Sequence, residues 1–126
     1  MARIIIADDD EIAATIVSDL LFGAGHAVGW VSDGERALEV IRRRAPDILI
    51  LDCNMPNKSG IMVLRELRQS PEFYRLPVLM LTGRGSNSDE DIARYEGAND
   101  YLTKPFDPVE LIDRVEELVA GRRRIA

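Results

Sequence analysis

The chain alternates between two periodicities. The runs "RIIIA" (3–7), "DILIL" (47–51) and "PVLML" (77–81) are apolar nearly from end to end, as expected of strands covered on both faces. A weaker strand is predicted over 26–31 and a short one over 100–103. Between these runs, apolar residues recur at helical spacing. Ile12, Ile16, Val17, Leu20 and Leu21 mark an inward face over 11–22. Ala37, Leu38 and Ile41 mark a second helix, and Ile61, Leu64 and Leu67 a third from about 59 to 69. Gly23 and Gly25 stop the first helix, Ser32-Asp33-Gly34 opens the second, and Ser70-Pro71 breaks the third. A fourth helix starts at Ser88, with Asp91 three residues on as a capping-box-like partner. Asp89 and Glu90 suit its positive end, and Gly97 ends it. Asp107 caps the fifth, with Pro108 first in the helix, Glu110 reaching back and Gly121 as the stop. Phe22 and Trp30 read as partly buried core, and His26 as structural.

Five strands alternating with five helices predict an α/β fold, a doubly wound five-stranded parallel sheet with helices on both faces. In such sheets ligands bind beyond the carboxyl ends of the strands, where the strand order reverses. Those ends carry the candidate chemistry. Asp8, Asp9 and Asp10 follow the first strand, Asp52 the third, Thr82 the fourth, and Lys104 with Pro105 the fifth.

Each has an ordinary reading. Asp10 is a helix cap, Thr82 suits a cap or turn, and Lys104 suits the surface. Asp52 resists such a reading, because it closes an apolar strand and a buried carboxylate is costly without a partner. Carboxylates brought together repel and raise one another's pKa unless a divalent cation sits among them. Mg²⁺ suits the set, since it takes oxygen ligands and commonly binds through one or two carboxylates and a phosphate. A carboxylate beside Mg²⁺, faced by an ammonium and a hydroxyl, is arranged to attack phosphorus and become an acyl phosphate.

Composition narrows the field. The 126 residues, 46% apolar and 30% charged, fit one globular domain over 1–126. The net charge of -6 argues against nucleic acid as a direct ligand. Cys53 is the only cysteine, so an internal disulfide and a multi-cysteine zinc site are excluded. No run is long enough to span a membrane and no signal peptide precedes the first strand, which reads as a cytoplasmic protein without a membrane partner. The triplets Arg42-Arg43-Arg44 and Arg122-Arg123-Arg124 suit helix C-termini. Cys53 reads as a packing residue.

The segments "IIIADDDE", "ILDCNMPNKSG" with its D-x-x-M-P-x-x-x-G pattern, "MLTG" and "YLTKPF" together resemble the receiver domains of two-component response regulators. The likeness is to the chemotaxis-regulator-like, single-domain kind; a chain that stops just after its fifth helix is either a natural single-domain regulator or a piece of a longer protein. The resemblance implies a flavodoxin-like (βα)₅ fold, strand order 2-1-3-4-5, with a cis peptide at Lys104-Pro105. It implies that Asp52 is the phosphoacceptor and a metal ligand. Asp9 would bind Mg²⁺ directly, Asp8 through water, and Asn54 through its backbone carbonyl. Thr82 and Lys104 would contact the phosphoryl oxygens, and Tyr101 would be the switch aromatic that responds with Thr82. The implied partners are a histidine kinase or phosphotransfer protein as donor, and a downstream effector protein or C-terminal output domain. Such a module is not an enzyme beyond its own phosphorylation and dephosphorylation. Arg84, two residues after Thr82, is expected to shield the phosphoryl group from water.

Two other classes compete. A Mg²⁺-dependent phosphatase with an aspartate nucleophile needs an acid–base aspartate two residues on, where this chain has Asn54. A flavin carrier needs a phosphate-cradling loop after the first strand, where Asp8-Asp9-Asp10 would repel a phosphate.

Overall fold

A computed structural model describes residues 1–83 and 87–125, with the side chains of 87, 88 and 122–125 left aside. Five strands, β1 (Arg3–Ala7), β2 (Ala27–Val31), β3 (Ile48–Leu51), β4 (Val78–Thr82) and β5 (Asp100–Thr103), alternate with five helices. These are α1 (Glu11–Gly23), α2 (Gly34–Arg43), α3 (Gly60–Gln69), α4 (Asn87–Tyr95) and α5 (Pro108–Ile125). The strands form one parallel sheet in the order β2-β1-β3-β4-β5, as expected.

Alternation along each strand divides the core in two. Ile4 and Ile6 of β1, with Ile48 and Ile50 of β3, face α1 and α5 through Val17, Leu21, Leu111 and Val115. Ile5 and Ala7, with Leu49 and Leu51, face α2 and α3 through Leu38, Ile41, Val63 and Leu64. Both faces are covered, so the central strands are apolar between their ends, with Arg3 opening β1 and Thr82 closing β4. Truncating one of these fully buried side chains, Leu49 or Ile50, to alanine costs about 2–5 kcal/mol.

Side-chain oxygens cap the first three helices, the first at Asp10 as the sequence predicts. Asp10 accepts from the N–H groups of Ile12 and Ala13, Asp33 from Arg36, and Ser59 from Met62. Asp107 also caps as expected, accepting from Val109 N–H at 2.8 Å. Glu110 does not reach back, however. Its carboxylate accepts from Arg114 one turn on, at 3.0 Å. Gly121 does not stop α5, which continues to Ile125. Gly25 and Gly97 take the positive φ that ends a helix, at 95° and 108°. Without that conformation a glycine is only a weak point in a helix. The pair Ser88–Asp91 lies partly outside the described residues, as do the side chains of Arg122, Arg123 and Arg124.

The first helix departs most from expectation. Its buried positions are Ala14, Val17 and Leu21, while Ile12 and Ile16 are exposed. Apolar residues stand around most of the circumference of α1, so spacing alone does not single out one face. Phe22 is 73% exposed and Trp30 43%, so neither belongs to the core. His26 does have a structural role. Its Nδ1 accepts from Ala2 N–H at 3.0 Å and its Nε2 lies 2.9 Å from Glu116, tying the residue before β1 to α5.

Candidate phosphoacceptor site

Parallel strands deliver all their carboxyl ends to one edge of the sheet, and there the separate candidates meet. Asp8 leaves β1 with its N–H on the Val31 carbonyl, and Asp52 leaves β3 with its N–H on the Ala7 carbonyl. One carboxylate oxygen from each of Asp8, Asp9 and Asp52 falls within 4.8 Å of the others. Asp8 and Asp52 are buried, at 4% and 7% exposure, and Asp9 is exposed.

Thr82 is the last residue of β4 rather than a turn residue. It is buried, and its hydroxyl donates to Asp52 Oδ1 at 2.7 Å. The Asn54 N–H approaches the same oxygen at 3.5 Å. Lys104 follows β5 through the cis bond to Pro105, and its Nζ lies 2.5 Å from Asp8 Oδ2. The ammonium is therefore paired directly with Asp8 and acts on Asp52 only at longer range. Burial pushes the Asp52 carboxyl above its ordinary pKa and the charge of Asp8 adds to this. The Thr82 hydroxyl, Lys104 and the Asn54 N–H offset only part of the rise.

The turn after Asp52 is held by close backbone contact. The Gly60 N–H donates to the Cys53 carbonyl at 2.8 Å, and a Cβ at Gly60 would stand 1.9 Å from the Asp52 carbonyl oxygen. Glycine is the only residue that fits there. Asn57 turns the loop at a φ of 68°, a conformation asparagine tolerates. Gly34 meets the same loop, with a would-be Cβ at 2.1 Å from the Lys58 carbonyl oxygen. The terminal glycine of the D-x-x-M-P-x-x-x-G pattern is thus what lets α3 start directly against the phosphoacceptor candidate. The role of Gly34 was hidden, because its contact partner is distant in sequence.

Tyr101 is buried, on β5 opposite Met80. Its hydroxyl is the one buried side-chain polar atom without a partner among the described residues. A cavity of about 210 Å³ lies beside the site, bounded by Asn54, Thr82, Asp89 and Tyr101 among others. A larger one, about 670 Å³, lies at the opposite edge near Phe73, Pro77 and Asn99, away from the converging carboxylates. Cys53 packs half-buried against the core, and burial raises its thiol pKa. Arg84 lies outside the described residues.

The site can hold a hard cation and present a carboxylate oxygen to an incoming electrophile. Residues 4–116 match the family model of the response regulator receiver domain. The phosphate regulon transcriptional regulatory protein PhoB of Rhizobium meliloti is 38% identical over 119 residues, covering 94% of this chain and 52% of that protein. The transcriptional regulatory protein CpxR of Escherichia coli K12 is 40% identical over 119 residues, covering 94% and 50%. The chain thus spans about half the length of the curated relatives it matches. A response regulator from Chloroflexus aurantiacus superposes with a TM-score of 0.91 at 40% identity, covering 94% of this chain and 98% of that one. The chemotaxis protein CheY4 of Vibrio cholerae gives 0.86 at 30% identity, with coverage of 94% and 98%. With the family model matched across all five strands, and relatives in sequence and in fold that are regulators of this kind, the chain belongs to the response regulator receiver domain family.

Proposed function

We propose that this chain is a phosphorylation-controlled signalling module in which Asp52 accepts a phosphoryl group from a phosphohistidine on a histidine kinase or phosphotransfer protein. The observation that carries this reading is the position of Asp52. It is a buried carboxylate at the sheet edge, hydrogen-bonded to Thr82 and grouped with Asp8 and Asp9. The hydrogen bonds from Thr82 and Asn54 both fall on Oδ1, which leaves Oδ2 as the attacking oxygen. As the Oδ2–phosphorus bond forms, the phosphorus–nitrogen bond to the donor imidazole breaks, and the electron pair stays on nitrogen.

The acidic group fits Mg²⁺. Three carboxylates supply hard oxygen donors within reach of one another, and Lys104 pairs directly with only one of them. Asp8, Asp9, Asp52 and the Asn54 carbonyl are the residues that would hold the ion. When bound, Mg²⁺ supplies positive charge for the carboxylates and the phosphoryl oxygens. The chain's own groups do the rest. Thr82 orients Asp52 and donates to a phosphoryl oxygen, and Lys104 is close enough to turn from Asp8 to that group.

Signalling follows from Thr82 and Tyr101, which share the neighbourhood of the site. A hydroxyl drawn to the phosphoryl group and a ring moving with it would bias two conformations of the face formed by α4, β5 and α5. The output is a protein contact, with a downstream effector or a C-terminal output domain, in the cytoplasm where the donor works. Beyond its own phosphorylation and dephosphorylation, the module catalyses nothing.

Intact-mass spectrometry with a small acyl-phosphate donor and Mg²⁺ tests the reading. One added phosphoryl group is expected, abolished by EDTA and by Asp52→Asn. Full labelling of Asp52→Asn would remove Asp52 from this role.

A further inference from the structure

Two side chains from outside the acidic loop after β1 bond to it: Lys104 reaches the Asp8 carboxylate, and a residue of the edge strand reaches the Asp8 backbone. The indole Nε1–H of Trp30 donates to the Asp8 backbone carbonyl at 2.8 Å. Trp30 stands opposite Ile6 in the β1–β2 ladder, and Val31 opposite Ala7. The ladder's backbone bonding reaches the Asp8 N–H, which donates to the Val31 carbonyl at 3.1 Å. Beyond that point the indole extends the pairing by one further step.

The bond falls on a sensitive unit. The Asp8 carbonyl and the Asp9 N–H belong to one planar peptide. A donor that holds the carbonyl fixes that plane, and with it the directions in which both residues leave it. The Asp10 N–H donates to Asp8 Oδ1 at 2.9 Å and Lys104 Nζ reaches Oδ2; both orient the carboxylate, and neither bonds the Asp8 carbonyl. The ring itself is 43% exposed, so core packing does not account for its position.

We propose that Trp30 is a positioning residue. Its indole N–H locks the Asp8–Asp9 peptide and so sets the spacing at which these two carboxylates face Asp52. This rests on the reading that the three carboxylates bind a divalent cation. Partners of this kind, one step removed from a metal, typically change affinity by about 10–100-fold when lost at strong sites. Asp8 is also held by three other bonds, to Val31, Asp10 and Lys104, so the loss should fall at or below the low end, roughly 3–10-fold.

The test is a calorimetric titration with MgCl₂ of three forms of this chain: wild type, Trp30→Phe, and a form carrying the benzothienyl isostere of tryptophan at position 30. The isostere keeps the ring shape and replaces the N–H by sulfur. Trp30 is the only tryptophan, so the replacement is specific. The expected result is Mg²⁺ affinity lowered in both altered proteins, with metal-free melting temperatures close to wild type. In addition, the Asp9 backbone amide of the metal-free proteins should shift in ¹H–¹⁵N spectra. Wild-type affinity in the isostere overturns the proposal even if the phenylalanine variant binds weakly, because the ring and not its N–H would then matter. Wild-type affinity in both overturns it while leaving the proposed function standing. If wild type itself binds no Mg²⁺ while Asp9→Ala behaves identically, the underlying reading fails and the proposal with it.

Discussion

The Thr82 hydroxyl donates a 2.7 Å hydrogen bond to Oδ1 of Asp52, and both side chains are buried. A hydroxyl in this position steadies a carboxylate that burial and Asp8 otherwise disfavour. The bond is short enough to matter, yet it leaves the Asp52 pKa raised. The site therefore holds an unfavourable charge that a cation can relieve.

That charge predicts a pH-dependent difference between wild type and Asp52→Asn. The folded pKa of Asp52 lies above its unfolded value, so the native state binds more protons between the two. The stability associated with neutral Asp52 is fully present below about pH 4, near its unfolded value. It is lost as pH rises through the folded value. Asp52→Asn escapes this loss. In metal-free buffer the variant should melt higher than wild type by a margin that grows from pH 4 upward and then levels off. Millimolar Mg²⁺ should shrink the margin by stabilising wild type. Melting scans across pH, with and without Mg²⁺, measure this. A margin that narrows with rising pH would reverse the assignment.

Tyr101 carries the orphaned hydroxyl. A buried polar group without a partner costs about 1–3 kcal/mol. Tyr101→Phe keeps the ring in the core and removes that group, so it should stabilise the protein by about 1 kcal/mol. Urea denaturation decides the matter. A loss of similar size would show that the hydroxyl is satisfied in solution, for example by a water.

Gly60→Ala should harm both stability and chemistry. Its new methyl group would stand 1.9 Å from the Asp52 carbonyl oxygen, so the start of α3 or the end of β3 must shift. A destabilisation of about 1–3 kcal/mol is expected from such overpacking. Slower labelling by a small acyl-phosphate donor should accompany it, because the displaced backbone is that of Asp52. Normal stability together with a normal labelling rate would mean the loop adjusts freely.

The architecture was legible in the sequence because its strongest signals leave little choice. "RIIIA" and "PVLML" have no polar face, so they belong inside a doubly covered sheet. Once strands alternate with helices and run parallel, every strand ends on the same edge. The meeting of Asp8, Asp52, Thr82 and Lys104 then follows from topology, although Lys104 and Asp8 lie 96 residues apart. Asp10 and Asp107 were equally readable, because an N-cap is a local interaction within one turn.

Other features were decided only by the tertiary structure. In "EIAATIVSDLLFG" the apolar residues leave several faces possible. The sheet accepts Ala14, Val17 and Leu21, while Ile12 and Ile16 remain outside. Gly121 can sit in a helix or end one, and α5 runs through it. Trp30 and Gly34 carry no local mark of their contacts. The indole reaches Asp8 because the β1–β2 register brings strand ends together across 22 residues. Gly34 is needed because α2 closes onto the Lys58 carbonyl. Periodicity and capping act within a few residues of chain and can be read from it. Which face is buried, which carbonyl meets a donor and where a methyl group would collide depend on distances between segments, and those exist only after the sheet has assembled.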